Sequence, residues 1–415
     1  MSENRFYHGD CLFCLNHDIP AESVDLIYLD PPFFTGKVQK AKGKWQPGAM
    51  EISFKDTKSY WSQHLERMRK QAPIWLNDIG NRQPALAAYL YYMMERLQGC
   101  HRVLKKTGSI YLHCDYRASH YLKMVMDEIF GVSNFQNEIV WHYGLGGYQR
   151  AKSFPRKHDT LLLYSKTHTF TFNKVREGVT RQMLAKYCHE DENGRYMISY
   201  GKKYYLKGGK PVDDVWDIPA IPATSRERTG YPTQKPEALL ERIIKASSNE
   251  GDLVLDPFCG CGTTVIVASK LNRQFIGIDI DATAFQVIKN RAHELFNQTK
   301  YISRDLDEVK AMGGNEFQDW VNEYFGATRP HPDLGVDGIT PAGVPIQSKS
   351  YIIKYTVLSQ FVTDAKYHPK VPKPIKEIIA VSKTGFDEGA YKRQFEIEST
   401  EGIKVKLLTP EEMLR

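Results

Sequence analysis

The sequence predicts an α/β fold in which a doubly wound, mostly parallel sheet carries ligand sites along the carboxyl edge of its strands. Three stretches support this prediction. Residues 253–255 form an apolar run typical of a buried strand, and a glycine turn then leads into a helical pattern over 265–271. Further buried strands are predicted at 24–29 and 274–280. An aspartate stands at the end of each strand, which places polar groups at the expected edge.

The turn after the first of these strands has features that suit a ligand. Gly260 and Gly262 allow backbone N–H groups to approach a bound molecule closely. Asp256 adds an acceptor that suits an amino or hydroxyl group better than a pyrophosphate, and Asp279 stands where such folds place an acceptor for ribose hydroxyls. The three-glycine dinucleotide fingerprint and the lysine of a phosphate loop are absent. The turn therefore favours a nucleoside without phosphates, while a plain strand-to-helix connection is the alternative on the glycines alone.

The predicted strand 24–29 ends in the motif Asp30-Pro31-Pro32-Phe33. Two consecutive prolines fix their own φ and disfavour helix at the preceding residue, so the motif forms a rigid, extended tip. It presents a carboxylate, a carbonyl and an aromatic face at a strand end. These groups suit the exocyclic amino group of a planar base that has left its duplex. By itself, a motif of this kind is usually a surface turn.

Taken together, this motif and the turn at Asp256 resemble the S-adenosylmethionine-dependent DNA amino-methyltransferases. Because Asp30 precedes the cofactor turn, the order of the motifs resembles the β class of that family. The likeness extends from about Arg5 to about Phe296, and it includes further phrases at 7–12, 108–115 and 231–236. The resemblance implies a seven-stranded methyltransferase sheet in residues 1–300.

The resemblance also implies which residues serve the cofactor. Asp10 would contact its adenine, although a helix cap ahead of Leu12 is the alternative for this residue. Lys235 would pair with its carboxylate. The full implied cofactor set is Asp10, Lys235, Asp256, Phe258, Gly260, Gly262, Thr263, Thr264 and Asp279.

For catalysis, the resemblance implies the residues Asp30, Pro31, Pro32 and Phe33. Phe33 would stack on the flipped base, while the Asp30 carboxylate and the Pro31 carbonyl accept hydrogens from its amino group. The form of the motif is more typical of N6-adenine than of N4-cytosine enzymes, so adenine in double-stranded DNA is the expected substrate and cytosine the alternative. Methyl transfer of this kind requires no metal, no covalent cysteine and no histidine base.

Between these motifs lie two segments of less regular pattern. Residues 35–60 are predicted to form a lysine-rich loop, and about 166–228 hold interleaved basic and aromatic residues that suit DNA contacts. The resemblance implies an inserted target-recognition region in the second segment, and a solvated hairpin is the alternative. The remaining elements are predicted as helices at 85–104, 121–130, 236–248 and 282–297 and strands at 109–113, 138–143 and 160–164.

Composition agrees with a DNA-modifying enzyme. A chain of 415 residues with 41% hydrophobic and 25% charged residues can bury more than one core. The formal net charge of +7 favours a polyanionic partner. Seven cysteines without metal-type double pairing indicate a reducing compartment, and the sequence shows no membrane span or leader. We therefore expect a cytoplasmic protein, and a homodimer is compatible with the sequence.

Residues 307–415 are predicted to form a second, smaller α/β domain. An acidic residue at a strand start, Asp337, is followed by Gln347 and Lys349 on the next strand. This pattern resembles the Mrr-like PD-(D/E)XK restriction endonucleases. The resemblance implies that Asp337 and Gln347 hold Mg²⁺ while Lys349 polarises the attacking water or the phosphate.

A third carboxylate for this second site is expected on the helix that precedes it. Glu316 is the first choice, with Glu323 as the substitute. Two functions stay open for the domain: an active nuclease fused to the methyltransferase, and a DNA-binding or interaction module that keeps the fold without cutting. Gln347 in place of a carboxylate weakens the metal site, although the Mrr-like group has glutamine there.

Overall fold

The structure is a computed structural model that describes residues 4–42, 51–62, 68, 71–144, 152–222, 224–331 and 334–414. The chain divides into two compact units. The first comprises Met1–Phe6 and Leu15–Lys300, and the second comprises Tyr7–Cys14 and Tyr301–Arg415. No helix in the described part of the chain combines the length and the apolar character that a membrane span requires.

Among the described residues, nine strands form one sheet, and seven of them belong wholly to the first unit. In chain order, the strands up to residue 303 are β1 (Arg5–His8), β2 (Val24–Leu29), β3 (Lys37–Lys42), β4 (Glu51–Asp56), β5 (Leu104–Cys114), β6 (Phe135–His142), β7 (His158–Ser165), β8 (His189–Asp191), β9 (Gly194–Ser199), β10 (Lys202–Tyr205), β11 (Val215–Asp217), β12 (Leu253–Asp256), β13 (Gln274–Asp279) and β14 (Lys300–Ser303). The order in the sheet is β11-β6-β7-β5-β2-β12-β13-β1-β14. Strands β1 and β14 contain residues of both units.

The predicted α/β fold with a mostly parallel central sheet is confirmed. Strand β2 pairs in parallel with β5 and β12, and β12 pairs in parallel with β13. Strand β7 is the exception, since it runs antiparallel to both β5 and β6. The count of seven strands implied by the resemblance differs from the nine observed. One reason is that the short strand β11 extends the edge by pairing in parallel with β6.

Helices at 11–17, 74–82 and 181–186 were not predicted, and the predictions differ from the structure at two further places. Elsewhere the helices of the described residues agree with the predicted ones. Up to residue 300 they are α1 (Cys11–His17), α2 (Lys58–Ser62), α3 (Ile74–Arg82), α4 (Pro84–Val103), α5 (Ser119–Phe130), α6 (Arg181–Lys186), α7 (Glu237–Ser247), α8 (Thr263–Lys270), α9 (Ala282–Arg291) and α10 (His293–Asn297). The single helix predicted over 282–297 is wrong, because Ala292 leaves the helical region with φ −143° and separates α9 from α10. The predicted loop 35–60 is also wrong in part. It contains α2, and β3 pairs there with β4 in an antiparallel hairpin; residues 43–50 of that prediction lie outside the described residues.

The segment 166–228 holds little of the large sheet. Strands β8, β9 and β10 form a separate three-stranded antiparallel sheet, and β11 returns to the edge of the large one. Exposed side chains on this small sheet and beside it include Ile198, Tyr200 and Tyr204. The target-recognition role of this segment stays a prediction.

The second unit is built on a four-stranded sheet with helices on both faces. Its strands are β15 (Gly338–Ile339), β16 (Pro345–Lys349), β17 (Glu377–Ser382) and β18 (Lys404–Leu408), and its helices are α11 (Leu306–Ala311), α12 (Gly314–Tyr324), α13 (Tyr355–Tyr367), α14 (Glu388–Glu401) and α15 (Pro410–Met413). Along β17, Ile378 and Ala380 pack in one apolar core while Ile379 and Val381 pack in another. Because successive strand residues point to opposite faces, the two cores lie on the two sides of this sheet.

Candidate active site

Three aspartates meet at the carboxyl edge of the sheet in the first unit. Asp30 directly follows β2, Asp256 is the last residue of β12, and Asp279 is the last residue of β13. Since β12 pairs in parallel with both neighbours, their carboxyl ends lie side by side. The three aspartates line one cleft of about 1120 Å³, open mouth included. Other predicted site residues in its lining are Pro31, Pro32, Phe33, Lys235, Phe258, Gly260, Thr263 and Thr264.

Asp256 holds the turn between β12 and α8. Its Oδ1 accepts a hydrogen bond of 3.0 Å from the Phe258 N–H, and its Oδ2 accepts one of 2.5 Å from the Thr264 hydroxyl. Burial raises the pKa of this carboxyl to about 7, although the two hydrogen bonds act in the opposite direction. Asp256 therefore has two roles: its hydrogen bonds hold the turn in shape, and its side chain forms part of the lining of the cleft.

The glycines of the turn are required by close packing. Gly260 has φ +47°, and a Cβ on it would lie 3.0 Å from the ring of Tyr231. Its N–H donates a hydrogen bond of 2.8 Å to Asp279 Oδ2, so the turn and the end of β13 are tied together. Gly262 has φ +75° and precedes α8, where a Cβ would come within 2.7 Å of Ile288. Both positions tolerate glycine alone without strain.

Asp30 and its neighbours form the other side of the cleft. The Oδ1 atom of Asp30 is buried and has no hydrogen-bond partner among the described residues. Its Oδ2 accepts a hydrogen bond from the ammonium group of Lys235, whose side chain is 8% exposed. The same ammonium donates to the Thr233 carbonyl at 3.2 Å and lies 5.1 Å from the centre of the Phe33 ring. The predicted partner of Lys235 was a cofactor carboxylate; in the structure its partner is Asp30.

A buried polar chain behind Asp30 was not found from the sequence. The ring of His113 on β5 is fully buried, and its Nδ1 lies 2.8 Å from the Tyr28 hydroxyl and 3.9 Å from Asp30 Oδ1. Its Nε2 lies 3.3 Å from Asp159 Oδ2. Burial raises the pKa of Asp159, but the hydrogen bond to His113 and the charges of His113, Lys235 and His158 together leave the pKa below its usual value. In the sequence, the one indication of this role is that His113 lies near the end of a predicted strand, where site residues are expected.

Beside Phe33, the cleft is lined by the aromatic side chains of Tyr60, Trp61 and Tyr92, and the buried Asp56 holds this region together. The sequence did not predict these residues as part of the site. Asp56 is fully buried; its Oδ2 accepts hydrogen bonds from the Thr35 N–H at 2.6 Å and hydroxyl at 2.8 Å. Its Oδ1 accepts one of 2.9 Å from the Trp61 indole. These bonds fix the chain after the Asp-Pro-Pro-Phe motif. Lining residues that this arrangement adds are Thr35, Asp56, Tyr60, Trp61 and Tyr92.

Asp10 has a local partner in the structure. Its Oδ1 accepts a hydrogen bond of 2.8 Å from the Leu12 N–H at the start of α1. This is the helix-cap arrangement that the sequence left open. Contact with a cofactor stays a prediction for this residue.

The charges of the cleft restrict what it can bind. Its described lining holds five carboxylates, and its one lysine is bonded to Asp30. Such a lining disfavours a polyphosphate and suits a cationic ligand that carries hydroxyl or amino donors. Among the described residues, no group of three or more His, Cys, Asp or Glu side chains is arranged to hold a metal ion. The arrangement suits transfer chemistry on an amino group held at Asp30.

The second unit brings together three of its four predicted site residues. Asp337 precedes β15, and its Oδ2 accepts a 2.8 Å hydrogen bond from the Ser348 N–H and lies 3.6 Å from the Lys349 ammonium. The Oε1 atom of Gln347 is buried without a partner among the described residues. Glu316 instead accepts a hydrogen bond of 3.3 Å from the Gly313 N–H at the start of α12. Glu316 and Glu323 line another groove of this unit, whose lining contains none of the other three residues.

Comparison with known proteins agrees with the class that this fold and cleft define, the enzymes that modify amino groups of nucleic-acid bases. The profile of the DNA methylase family, which covers N6 and N4 enzymes, matches residues 24–290. The chain belongs to this family and is a DNA methyltransferase. The matched residues include the Asp-Pro-Pro-Phe motif, the turn at Asp256 and the end of β13.

Two named relatives extend this likeness. The chain is 33% identical over 306 residues to the DNA adenine methyltransferase YhdJ of Escherichia coli, which covers 73% of this chain and 86% of that protein. It is 36% identical over 212 residues to the type II methyltransferase M.HpaI of Haemophilus parainfluenzae, which covers 50% of this chain and 61% of that protein.

Proposed function

We propose that the first unit moves a methyl group from S-adenosylmethionine to the N6 amino group of adenine in double-stranded DNA, after the base has left the helix. The observation that carries this proposal is the Oδ1 atom of Asp30. A buried carboxylate oxygen without a partner is costly unless a ligand supplies a donor. It lies beside the aromatic ring of Phe33, in the same cleft as Asp256 and Asp279. A planar base with an amino group would donate a hydrogen bond to this oxygen and stack on the ring of Phe33.

The cleft around the glycine turn fits S-adenosylmethionine. The ligand is a nucleoside without phosphates, and it carries a positive sulfur and hydroxyl donors that suit a carboxylate lining. Asp279, which already orients the Gly260 N–H, would hold the ribose hydroxyls, and the turn 258–264 would enclose the rest. When bound, S-adenosylmethionine supplies an electrophilic methyl group on that sulfur.

The residues of the chain then position the acceptor base. Phe33 stacks on the base, Asp30 Oδ1 accepts one amino hydrogen and the Pro31 carbonyl accepts the other. These acceptors raise the electron density on the amino nitrogen and aim it at the reacting carbon. Because the acceptors are already in place, little reorganisation accompanies the reaction. Lys235 keeps the second oxygen of Asp30 paired, so Oδ1 is the one left for the base.

Adenine rather than cytosine is proposed as the target. The Asp-Pro-Pro-Phe form of the motif supports adenine, as does the similarity over most of the chain to a protein named as a DNA adenine methyltransferase. The alternative is N4 methylation of cytosine, since that base presents a comparable amino group. The segment 166–228, with its small sheet and exposed aromatics, is proposed to contact the DNA around the target.

The test is transfer of radiolabelled methyl groups from S-adenosylmethionine to duplex DNA, followed by digestion and separation of the nucleosides. Label in N6-methyl-2′-deoxyadenosine would support the proposal. Label in N4-methylcytosine would replace adenine by cytosine, and absence of label on DNA of varied sequence would contradict the proposed reaction.

For the second unit we propose a Mg²⁺-dependent nuclease site at Asp337, Gln347 and Lys349. The specific observation is the orphaned Oε1 of Gln347 on the strand that also carries Lys349, beside Asp337. Asp337 and Gln347 would hold the cation and Lys349 would assist the attacking water or the phosphate. The alternative is a DNA-binding or interaction module without cleavage.

Cleavage of unmethylated plasmid DNA with and without Mg²⁺ distinguishes these two functions of the second unit. The nuclease requires cutting that EDTA stops and that Lys349→Ala abolishes, with methyl transfer by the same variant unchanged as the control. DNA binding without cutting, at any Mg²⁺ concentration, would favour the module.

A further inference from the structure

The pair formed by Asp30 and Lys235 presents two hydrogen-bonding groups of opposite kind at the base end of the cleft. Asp30 Oδ1 is an acceptor without a partner among the described residues. The Lys235 ammonium has three hydrogens, and two of its acceptors are identified: Asp30 Oδ2 and the Thr233 carbonyl. Both side chains line the cleft with Phe33. A free acceptor and a donor therefore stand next to each other beside one aromatic ring.

This pattern has a specific complement among the bases. Adenine carries its amino group next to a ring nitrogen, N1, that accepts a hydrogen bond, and cytosine has the same arrangement at N4 and N3. Guanine and thymine carry an oxygen next to a ring N–H, which would set an oxygen against the Asp30 carboxylate and a donor against the Lys235 ammonium. Asp30 and Lys235 are thus complementary to adenine and cytosine and not to guanine or thymine.

We infer that Lys235 is a specificity-determining residue that donates a hydrogen bond to the ring nitrogen beside the target amino group, N1 in adenine. This inference rests on the proposed function, since it assigns to Lys235 the second half of the edge whose amino group Asp30 accepts. A base stacked on Phe33 would meet both groups, because the ammonium lies 5.1 Å from the centre of that ring.

Burial makes this contact selective. The side chains of Lys235 and Asp30 are 8% and 15% exposed, so water cannot freely replace a missing partner. A base without the acceptor would leave a buried ammonium hydrogen unpaired, whereas an exposed lysine would simply turn to solvent.

The experiment compares three duplexes that differ only at the target base: adenine, 1-deazaadenine and 7-deazaadenine. 1-Deazaadenine lacks the ring nitrogen beside the amino group, and 7-deazaadenine keeps it and serves as the matched control. In single-turnover methyl transfer by the wild-type protein, we expect 1-deazaadenine to react on the order of 10- to 100-fold more slowly than adenine. We expect 7-deazaadenine to stay close to adenine. If sequencing identifies cytosine as the target, 3-deazacytosine takes the place of 1-deazaadenine.

The variants separate recognition by Lys235 from the intrinsic reactivity of the analogue. Lys235→Met loses the donor, so it should slow all substrates while the ratio of adenine to 1-deazaadenine falls to the value set by the chemistry of the bases. Lys235→Arg retains a donor and should keep part of the ratio. An equal ratio in wild-type protein and Lys235→Met would overturn the assignment, and so would equal wild-type rates on adenine and 1-deazaadenine.

Even if Lys235→Met fails to fold, the wild-type protein still shows whether adenine and 1-deazaadenine react at equal rates. A wild-type protein that transfers no methyl group to any duplex would contradict the proposed function itself, and the assignment with it. Transfer to adenine without dependence on the ring nitrogen would contradict the assignment of Lys235 alone.

Discussion

The hydroxyl of Thr264 donates a hydrogen bond of 2.5 Å to Asp256 Oδ2, across the turn that joins β12 to α8. This contact holds a carboxyl group whose pKa burial raises to about 7. An aspartate in the unfolded chain has a pKa near 3.8. The folded protein therefore binds a proton at Asp256 more tightly than the unfolded chain does.

A pH dependence of stability follows from this difference. Because the pKa is raised on folding, the contribution of Asp256 to stability is fully present below pH 3.8 and is lost as the pH rises to about 7. Between pH 5 and 7 the free energy of unfolding should fall by on the order of 2 kcal/mol relative to Asp256→Asn, which cannot titrate. Denaturant unfolding of both proteins across this range measures the difference. Parallel pH profiles would show that Asp256 does not titrate in this window.

Asp30→Asn should separate chemistry from binding. The amide keeps the shape of the side chain but loses the charge that strengthens the hydrogen bond as the amino nitrogen becomes positive. We expect the single-turnover rate of methyl transfer to fall on the order of 100- to 1000-fold, while affinities for DNA and cofactor change little.

Asp30→Ala and a melting curve provide the control for this prediction. A stable, DNA-binding, inert protein would place Asp30 at the chemistry. A variant that melts early and loses rate and affinity in proportion would instead identify Asp30 as a structural cap on the end of β2.

Asp279→Ala should weaken binding of S-adenosylmethionine by on the order of 1–3 kcal/mol, because a ribose hydroxyl would lose its acceptor. Asp279 also accepts from the Gly260 N–H at 2.8 Å and the Asp281 N–H at 2.9 Å. Asp279→Asn keeps an acceptor oxygen for one of these two bonds and is the more conservative variant. Calorimetric titration measures the affinity of each variant for S-adenosylmethionine. Unchanged affinity in both variants would contradict the role of Asp279 and make Asp281 the next candidate for the ribose acceptor.

Asp56→Ala should destabilise the first unit. Its carboxylate is fully buried and accepts from Trp61 and twice from Thr35, so three donors would lose their acceptor. We expect a loss on the order of 2–5 kcal/mol in the free energy of unfolding. Thr35→Val removes one of these bonds and should cost about 1 kcal/mol. Equal stability of Asp56→Ala and the wild-type protein would contradict the role assigned to this carboxylate.

The elements that hold the site were accessible from the sequence because local patterns determine them. An apolar run of strand length followed by Asp-Pro-Pro-Phe or by a glycine turn specifies both a buried strand and the geometry of its end. The parallel order of such strands then places Asp30, Asp256 and Asp279 at one edge. These positions needed no knowledge of distant contacts.

The parts that the sequence did not give depend on partners far apart in the chain. His113 lies 46 residues from Asp159 and 85 from Tyr28, and Lys235 lies 205 from Asp30. No local periodicity predicts such pairs. The lysines of β3 interrupt the alternation of a strand, so the sequence of the β3–β4 hairpin predicts a loop. The break at Ala292 lies between two stretches that each have a helical pattern, so the sequence predicts one helix there.

The most direct test of the central claim is sequencing of modified bases in the DNA of cells that express this chain, beside cells that express Asp30→Ala. We expect N6-methyladenine at one short sequence in the first DNA and none at that sequence in the second. Methylation confined to N4 of cytosine would refute the adenine assignment. DNA without either modification, or equal methylation with Asp30→Ala, would contradict the account of this cleft as the site of methyl transfer.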